Sequence, residues 1–165
     1  MAEPTKDELS DSFLGFDSSY YQELKAAYAV AVQNGDQDRQ KELIQAANEL
    51  LESYINNRQD VDIMPLVSGT YHDYFENSWW RQRDYDGTQK WCLSIEPKAS
   101  YSWQEPNASQ YAWNIIYNMH GQSSRWDNTL SMEKQFMCHA HFAGGWKTPW
   151  NLEPWRTNVN PFTCN

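Results

Sequence analysis

Three side chains near the end of the chain are of types that carry acid–base and anion-binding chemistry: His139, Glu153 and Arg156. His139 could act as a general acid or base, because an imidazole titrates near neutral pH. Glu153 could orient it or serve as the acid, since burial among tryptophans raises the pKa of a carboxyl group. The guanidinium of Arg156 suits a carboxylate or a phosphate. We expect the three to meet in one water-reachable hollow. The alternative is that Glu153 and Arg156, three residues apart, pair with each other.

Tryptophan is concentrated around these residues. All nine tryptophans lie in residues 63–165, and aromatic residues make up 15% of the chain. Flat aromatic faces stack on sugar rings as well as on one another. Several of these rings must form the core of so small a domain, and the others could line a ligand site. The candidate substrate-binding residues are Trp126, Trp150, Asn151 and Trp155.

His139 and His141 form an H-x-H pair that could hold a metal. On a strand, residues two apart point to the same face, which is a common way of presenting two ligands to zinc. The alternative is one surface imidazole and one hydrogen-bonded, partly buried imidazole. No cofactor is predicted, except that this histidine pair could bind a divalent metal.

Several function classes lack their motifs. The chain has no G-x-S-x-G, no phosphate-binding glycine loop, no H-E-x-x-H and no Rossmann fingerprint. The net charge is −9, of which −8 falls in residues 1–62, and no basic cluster appears. This argues against a nucleic-acid surface, which needs concentrated Lys and Arg.

The three cysteines are Cys92, Cys138 and Cys164. They allow one disulfide, and a bridge between Cys138 and Cys164 would fasten the end of the chain at a gain of about 3 kcal/mol. Three buried, reduced thiols are the alternative. The chain has no apolar run long enough to span a membrane. Its first residues lack a charged segment followed by an apolar one, so we expect no standard signal peptide there.

The periodicity of apolar residues predicts an α+β fold, and the shift in charge and tryptophan content near residue 62 predicts two domains. Residues 1–62 read as an acidic helical hairpin for docking or delivery, with helices over 19–34 and from Asp36 or Asp38 to about 57. Residues 63–165 read as a small antiparallel sheet packed by one helix, at 110–119. The predicted strands are 66–74, 79–83, 90–96 and 132–142.

Three stretches of the sequence resemble a bacterial family, domain of unknown function 2599. They are Q-F-M-C-H at 135–139, K-T-P-W-N-L-E-P-W-R at 147–156 and C-N at 164–165. The resemblance covers about residues 70–165 and includes the positions of His139, Glu153 and Arg156. It does not include His141 or Cys92. It implies a protein secreted or delivered outside the producing cytoplasm, and it favours the Cys138–Cys164 bridge, which leaves Cys92 as the free thiol.

These observations lead to one leading hypothesis and two alternatives. The leading hypothesis is a bacterial effector or toxin-type module that hydrolyses a cell-envelope component, such as peptidoglycan or its lipid-linked precursor. The first alternative is a non-enzymatic module that binds a glycan or a protein, and the second is a nuclease toxin. The expected partners are an envelope glycan or glycopeptide and an immunity or chaperone protein.

Overall fold

The computed structural model describes residues 18–59, 69–99, 106–143 and 148–165. By Cα proximity the chain divides into two compact units. The first comprises residues 1–62 with Asn160–Phe162, and the second comprises residues 63–159 with Thr163–Asn165. The described elements in chain order are α1 Ser18–Gln33, α2 Gln37–Gln59, α3 Tyr71–Tyr74, β1 Phe75–Tyr85, β2 Thr88–Pro97, α4 Pro106–His120, α5 Thr129–Cys138, a π-helical segment His139–Ala143, and β3 Trp150–Leu152. The predicted fold class, α+β with an N-terminal helical hairpin and a small antiparallel sheet, is confirmed.

The first unit is the predicted helical hairpin. Gly35, at φ 67°, ends α1. Asp36 caps α2, because its Oδ1 accepts a hydrogen bond from the backbone N–H of Arg39 at 3.0 Å. The core of the unit consists of the buried side chains Leu24, Ala31, Leu43 and Ala47, with Phe162 packed against them. The ring of Phe162 stacks on Tyr28 at 4.6 Å.

The second unit is built on a three-stranded antiparallel sheet in the order β1-β2-β3. β1 and β2 are joined by the two-residue turn Asp86-Gly87, and both residues have positive φ. Two consecutive residues with positive φ form a turn whose twist matches the right-handed twist of the flanking strands. The predicted strands 79–83 and 90–96 are therefore confirmed, and both extend further than the sequence indicates.

The prediction of a strand at 132–142 is wrong, because these residues form α5 and the π-helical segment. Met132, Phe136 and Ala140 are four residues apart, so they satisfy the alternation of a strand and the repeat of a helix equally. All three are buried. The side chains between them, Gln135 and His139 among them, are buried as well, so neither face of a strand would have reached solvent. The sheet is thus packed by a second helix where a strand was expected.

The strand predicted over 66–74 is also wrong where the structure describes it, since Tyr71–Tyr74 form the short helix α3. The first residues of that stretch lie outside the described residues. The carboxylate of Asp73 accepts a hydrogen bond from the backbone N–H of Thr70 at 2.6 Å. A threonine followed three residues later by an acid is a helix-start signal. The aromatic residues of this stretch hid that signal.

Candidate functional site

The β1–β2 hairpin has two faces of different chemistry. Successive side chains on a strand point to opposite sides, so Trp79, Arg81, Arg83 and Tyr85 share one face of β1. Lys90 lies opposite Arg83 and joins the same face, and Asn151 of β3 joins it through its pairing with Ser94. The other face carries the apolar core. Three cations therefore lie on one side of a two-stranded ribbon.

Glu153 lies just after β3, and both of its carboxylate oxygens are occupied. Tyr85 donates its O–H to Oε1, and Arg156 donates its Nε–H to Oε2. The backbone of Glu153 is fixed by Gln135, whose Oε1 accepts from the N–H at 2.7 Å and whose Nε2 donates to the carbonyl at 3.1 Å. Glu153 is 2% exposed. The loop after β3 is therefore held in place by a buried carboxylate with two donors.

Tyr85 is kept protonated by this arrangement. Burial, and next the hydrogen bond to Glu153, raise the pKa of its phenol well above the ordinary value. Arg83 contributes a further contact, with Nη1 3.3 Å from the Tyr85 oxygen and Cζ 5.6 Å from the ring centre. Tyr85 thus remains a hydrogen-bond donor to Glu153 across the physiological pH range.

The indole of Trp155 contacts two cations. Nζ of Lys90 is 4.1 Å from the ring centre and Cζ of Arg156 is 4.6 Å from it. The ring of Tyr85 meets it edge-on at 4.6 Å. Cation–π contacts of this kind each contribute about 0.5–1 kcal/mol where solvent reaches them. We call this surface the Trp155 face, defined by Arg81, Arg83, Tyr85, Lys90, Glu153, Trp155 and Arg156.

Two hydrogen-bond donors of the Trp155 face have no partner among the described residues. They are the buried atoms Nε of Arg81 and Nε1 of Trp155. Nη2 of Arg81 donates to Oδ1 of Asn151 at 3.0 Å, and Ser94 Oγ donates to the same oxygen at 2.7 Å. These two atoms are buried and therefore closed to a ligand, so it is the partly exposed cations of the face that favour a ligand with hydrogen-bond acceptors.

His139 lies elsewhere. It is 1% exposed, and its ring stacks on Trp150 at 5.8 Å with an interplanar angle of 11°. With His139 and Glu153 both buried, the side chains do not form the open hollow that the sequence analysis predicts. The physical reason is that His139 continues α5 as the first residue of the π-helical segment, where its side chain is buried in the core. Glu153 and Arg156 pair with each other, which is the alternative considered from their spacing.

The predicted substrate-binding residues separate into different environments. Trp150 is 0% exposed and packs edge-on against Phe136 at 5.5 Å, so its face cannot stack on a ligand in this conformation. Asn151 binds Arg81. Trp126 is partly exposed, packs on Trp113 at 5.7 Å, and donates from Nε1 to Thr129 Oγ1 at 3.0 Å. Of the predicted set, Asn151 and Trp155 lie beside cations, Asn151 at Arg81 and Trp155 at Lys90 and Arg156.

The H-x-H pair does not present two ligands to one point. His141 Nε2 lies 2.9 Å from the hydroxyl of Ser109, while His139 packs on Trp150. Within the described ranges, no three His, Cys, Asp or Glu side chains are grouped so that they could hold a metal ion. The geometry therefore offers no support for the metal hypothesis.

The predicted disulfide is present. Cys138 and Cys164 are bonded with their Cα atoms 5.3 Å apart, and Cys92 is a buried free thiol. The bridge closes a loop of 26 residues that contains β3, Glu153 and Arg156. The Trp155 face is thus held on one side by the sheet and on the other by a covalent link.

Sequence reasoning missed Arg83, Tyr85 and Lys90 as functional residues. The signal was present in the spacing of Arg81, Arg83 and Tyr85, which alternate along a stretch already read as a strand and its turn. A tight turn at 86–87 places Lys90 opposite Arg83. Pairing the two predicted strands across that turn would have revealed a cationic face.

The domain that carries the Trp155 face matches a known family. The model of a family described as protein of unknown function (DUF2599) matches residues 75–164, more than half of the chain. The chain belongs to the DUF2599 family. The match begins at the first residue of β1 and ends at Cys164, so the DUF2599 domain contains the hairpin, the disulfide and the whole Trp155 face. The helices α1 and α2 lie outside it.

Neither the curated proteins nor the solved structures contain a match to this chain. In the part of the chain that the structure describes, no helix combines the length and the apolar character needed to cross a bilayer.

Proposed function

We propose that the DUF2599 domain of this chain is a bacterial effector-type module that binds an anionic, ring-bearing component of the cell envelope at the Trp155 face. The observation that carries the proposal is the indole of Trp155 in cation–π contact with both Lys90 and Arg156, on a face that holds four cations. A carboxylated glycan of the peptidoglycan type would supply sugar rings for the aromatic faces and acceptors for the cations.

Charge supports this choice of ligand. The whole chain carries −9, yet the Trp155 face holds four cations, Arg81, Arg83, Lys90 and Arg156, with one carboxylate. That carboxylate, Glu153, is buried and already paired with Arg156. A local positive excess on an acidic protein attracts an anion over a short range and repels other acidic surfaces.

The geometry favours binding over hydrolysis at this face. A general acid or base needs an oxygen free to reach the substrate. Both oxygens of Glu153 accept hydrogen bonds from the protein, and His139 is in the core. Glu153 then acts as the anchor that positions Tyr85 and Arg156. The disulfide fits a protein that works in an oxidising compartment outside the producing cytoplasm.

The test is titration calorimetry of the full chain with a soluble peptidoglycan fragment that carries free carboxylates. A neutral N-acetylglucosamine oligomer is the ligand control. We expect saturable binding of the first, weaker binding of the second, and a Kd at least tenfold weaker for Lys90→Gln and Trp155→Ala.

Arg125→Gln is the matched control variant. Arg125 Cζ lies 3.5 Å from the centre of the Trp91 ring, so this variant also loses a cation–π contact and one charge. Trp91 lies opposite Gln82 on the other face of the hairpin, and we therefore expect the Kd of Arg125→Gln to stay within twofold of the unmodified chain. Equal losses in all three variants, or no binding of the anionic fragment, would overturn the proposal. Release of new reducing ends during the titration would show that the site hydrolyses its ligand.

A further inference from the structure

A second cluster of reactive side chains lies on the other face of β1. Ser78 is on the strand, Tyr71 is on α3, and His120 is the last residue of α4. The Ser78 oxygen lies 2.8 Å from Tyr71 Oη and 2.8 Å from His120 Nε2. We call these three residues the Ser78 cluster.

The directions of the two hydrogen bonds follow from their chemistry. Tyr71 donates its O–H to Ser78 Oγ. Burial lowers the pKa of His120, so the imidazole is neutral at pH 7 and Nε2 can accept a proton. The Ser78 hydroxyl then donates to Nε2, with the ring proton of His120 on Nδ1, an assignment that rests on the network. A serine hydroxyl that donates to a neutral imidazole is the resting arrangement of a base-activated nucleophile.

The cluster is reachable from solvent. Ser78, Tyr71 and His120 are each partly exposed. β1 is an edge strand, and its pairing with β2 is irregular between Phe75 and Asn77, immediately before Ser78. Such irregularities often occur beside active sites, where they re-aim a side chain.

The walls of the cluster suit a small uncharged group. The ring of Trp80 lies edge-on to His120 at 6.2 Å, and Met119, 51% exposed, brings its sulfur to 4.0 Å from Ser78 Oγ. The titratable neighbours are His72, whose ring is 5.1 Å from that of Tyr71, and Glu96, whose charge raises the pKa of Tyr71 after the larger effect of burial. A negative charge nearby disfavours an anionic substrate, in contrast to the Trp155 face.

We propose that Ser78 is a nucleophile, with His120 as its general base, in an esterase site that accepts small uncharged acyl esters. Ser78 Oγ attacks the carbonyl carbon, and its proton passes to His120 Nε2. The ester C–O bond breaks and the leaving alcohol takes that proton. Water then attacks the acyl-serine, its proton passes through His120 to Ser78 Oγ, and the carboxylic acid is released. Tyr71 is a positioning residue, because its hydrogen bond to Oγ directs the serine proton towards His120.

The absence of G-x-S-x-G excludes a serine on a strand-to-helix elbow, and it does not exclude this site. Catalytic serine–histidine pairs are recognised by geometry and role, since they occur in different chain orders on unrelated folds. The site is separate from the Trp155 face, so it does not depend on the ligand proposed there.

The test uses the full chain with p-nitrophenyl acetate as substrate and a fluorophosphonate as a covalent serine probe. We expect ester hydrolysis at least tenfold above buffer, and a probe adduct that peptide mapping places on Ser78. Ser78→Ala should lose both. The rate should rise with pH with an inflection below about 6.5, the ordinary value for histidine. Tyr71→Phe should lower kcat without moving that inflection.

Ser109→Ala is the matched control. Ser109 also lies within 2.9 Å of a histidine Nε2, that of His141, but its side chain is 0% exposed, so this variant should keep the activity and the adduct. Hydrolysis by Ser78→Ala equal to that of the unmodified chain, or no adduct on Ser78, would overturn the proposal. If Ser78→Ala fails to fold, the location of the adduct on the unmodified chain still decides.

Discussion

Tyr85, the last residue of β1, donates a hydrogen bond to Glu153 across 68 positions of the sequence. This one bond ties the end of the hairpin to the loop after β3. It also sets the edge-on contact between the rings of Tyr85 and Trp155. Glu153 is buried, so water cannot replace Tyr85 as a donor to its carboxylate at low cost. The position of the whole Trp155 face therefore depends on the pairing of Tyr85 with Glu153.

Tyr85→Phe should destabilise the domain by about 1–3 kcal/mol, because it leaves one oxygen of a buried carboxylate without its donor. Urea unfolding followed by circular dichroism measures the change. Tyr117→Phe is the control, since Tyr117 is 42% exposed and keeps its ring contacts. A loss of the same size in the control would show that the hydrogen bond to Glu153 is not what stabilises the fold.

Reduction of the Cys138–Cys164 bridge should lower the free energy of unfolding by about 3.5 kcal/mol, from the chain entropy of a loop of this length. Cys164→Ser should reproduce the loss and remove the effect of reductant. Urea unfolding with and without dithiothreitol measures it. Cys92→Ala should stay sensitive to reductant, because Cys92 is outside the bridge. Insensitivity of the unmodified chain would mean that the bridge does not form in solution.

Stability should fall as the pH is lowered through about 6.5, the value for an unfolded histidine. Burial lowers the pKa of folded His120, so between that lower pKa and 6.5 the unfolded chain binds a proton that the folded chain does not. The contribution is complete above this window and fully lost below it. His120→Gln should flatten the slope of stability against pH there, while His72→Gln, at an exposed position, should retain it. Identical slopes in the two variants would contradict the assignment.

Asp36→Ala should cost the helical hairpin about 1 kcal/mol, because the Arg39 amide at the start of α2 loses its acceptor. Hydrogen exchange of that amide provides a local measure and should become faster. Asp36→Asn is the matched control, since asparagine caps about as well as aspartate. Faster exchange in both variants would point to the charge of Asp36 and not to its hydrogen bond.

The elements predicted correctly are those whose local signals agree with one another. The turn at Asn34-Gly35, the cap at Asp36 and the repeat of Leu24 and Ala31 all indicate the same hairpin. The turn at 86–87 and the alternation of Trp91, Leu93 and Ile95 likewise indicate the β1–β2 hairpin. In each case a turn residue and a periodicity indicate the same element, and the tertiary packing agrees with these local signals.

The late helix could not be predicted because its burial hides its period. Residues 131–140 are almost entirely inside, and a segment buried on every side has no polar face to mark a repeat. The error carried over to the candidate site, since a strand would have placed His139 and His141 side by side. Glu153 and Tyr85 are far apart in the sequence, so no local pattern predicts the hydrogen bond between them.

The period of two along β1 has a consequence for how the DUF2599 family can diversify. From Ser78 to Tyr85, consecutive side chains point to opposite surfaces of β1. A substitution at one position therefore leaves unchanged the surface to which its two neighbours in the sequence contribute. The cationic side of β1 can therefore change while Ser78 is kept, and Ser78 can be lost while the cations are kept. We expect the family to include members that share one of these two surfaces and differ in the other.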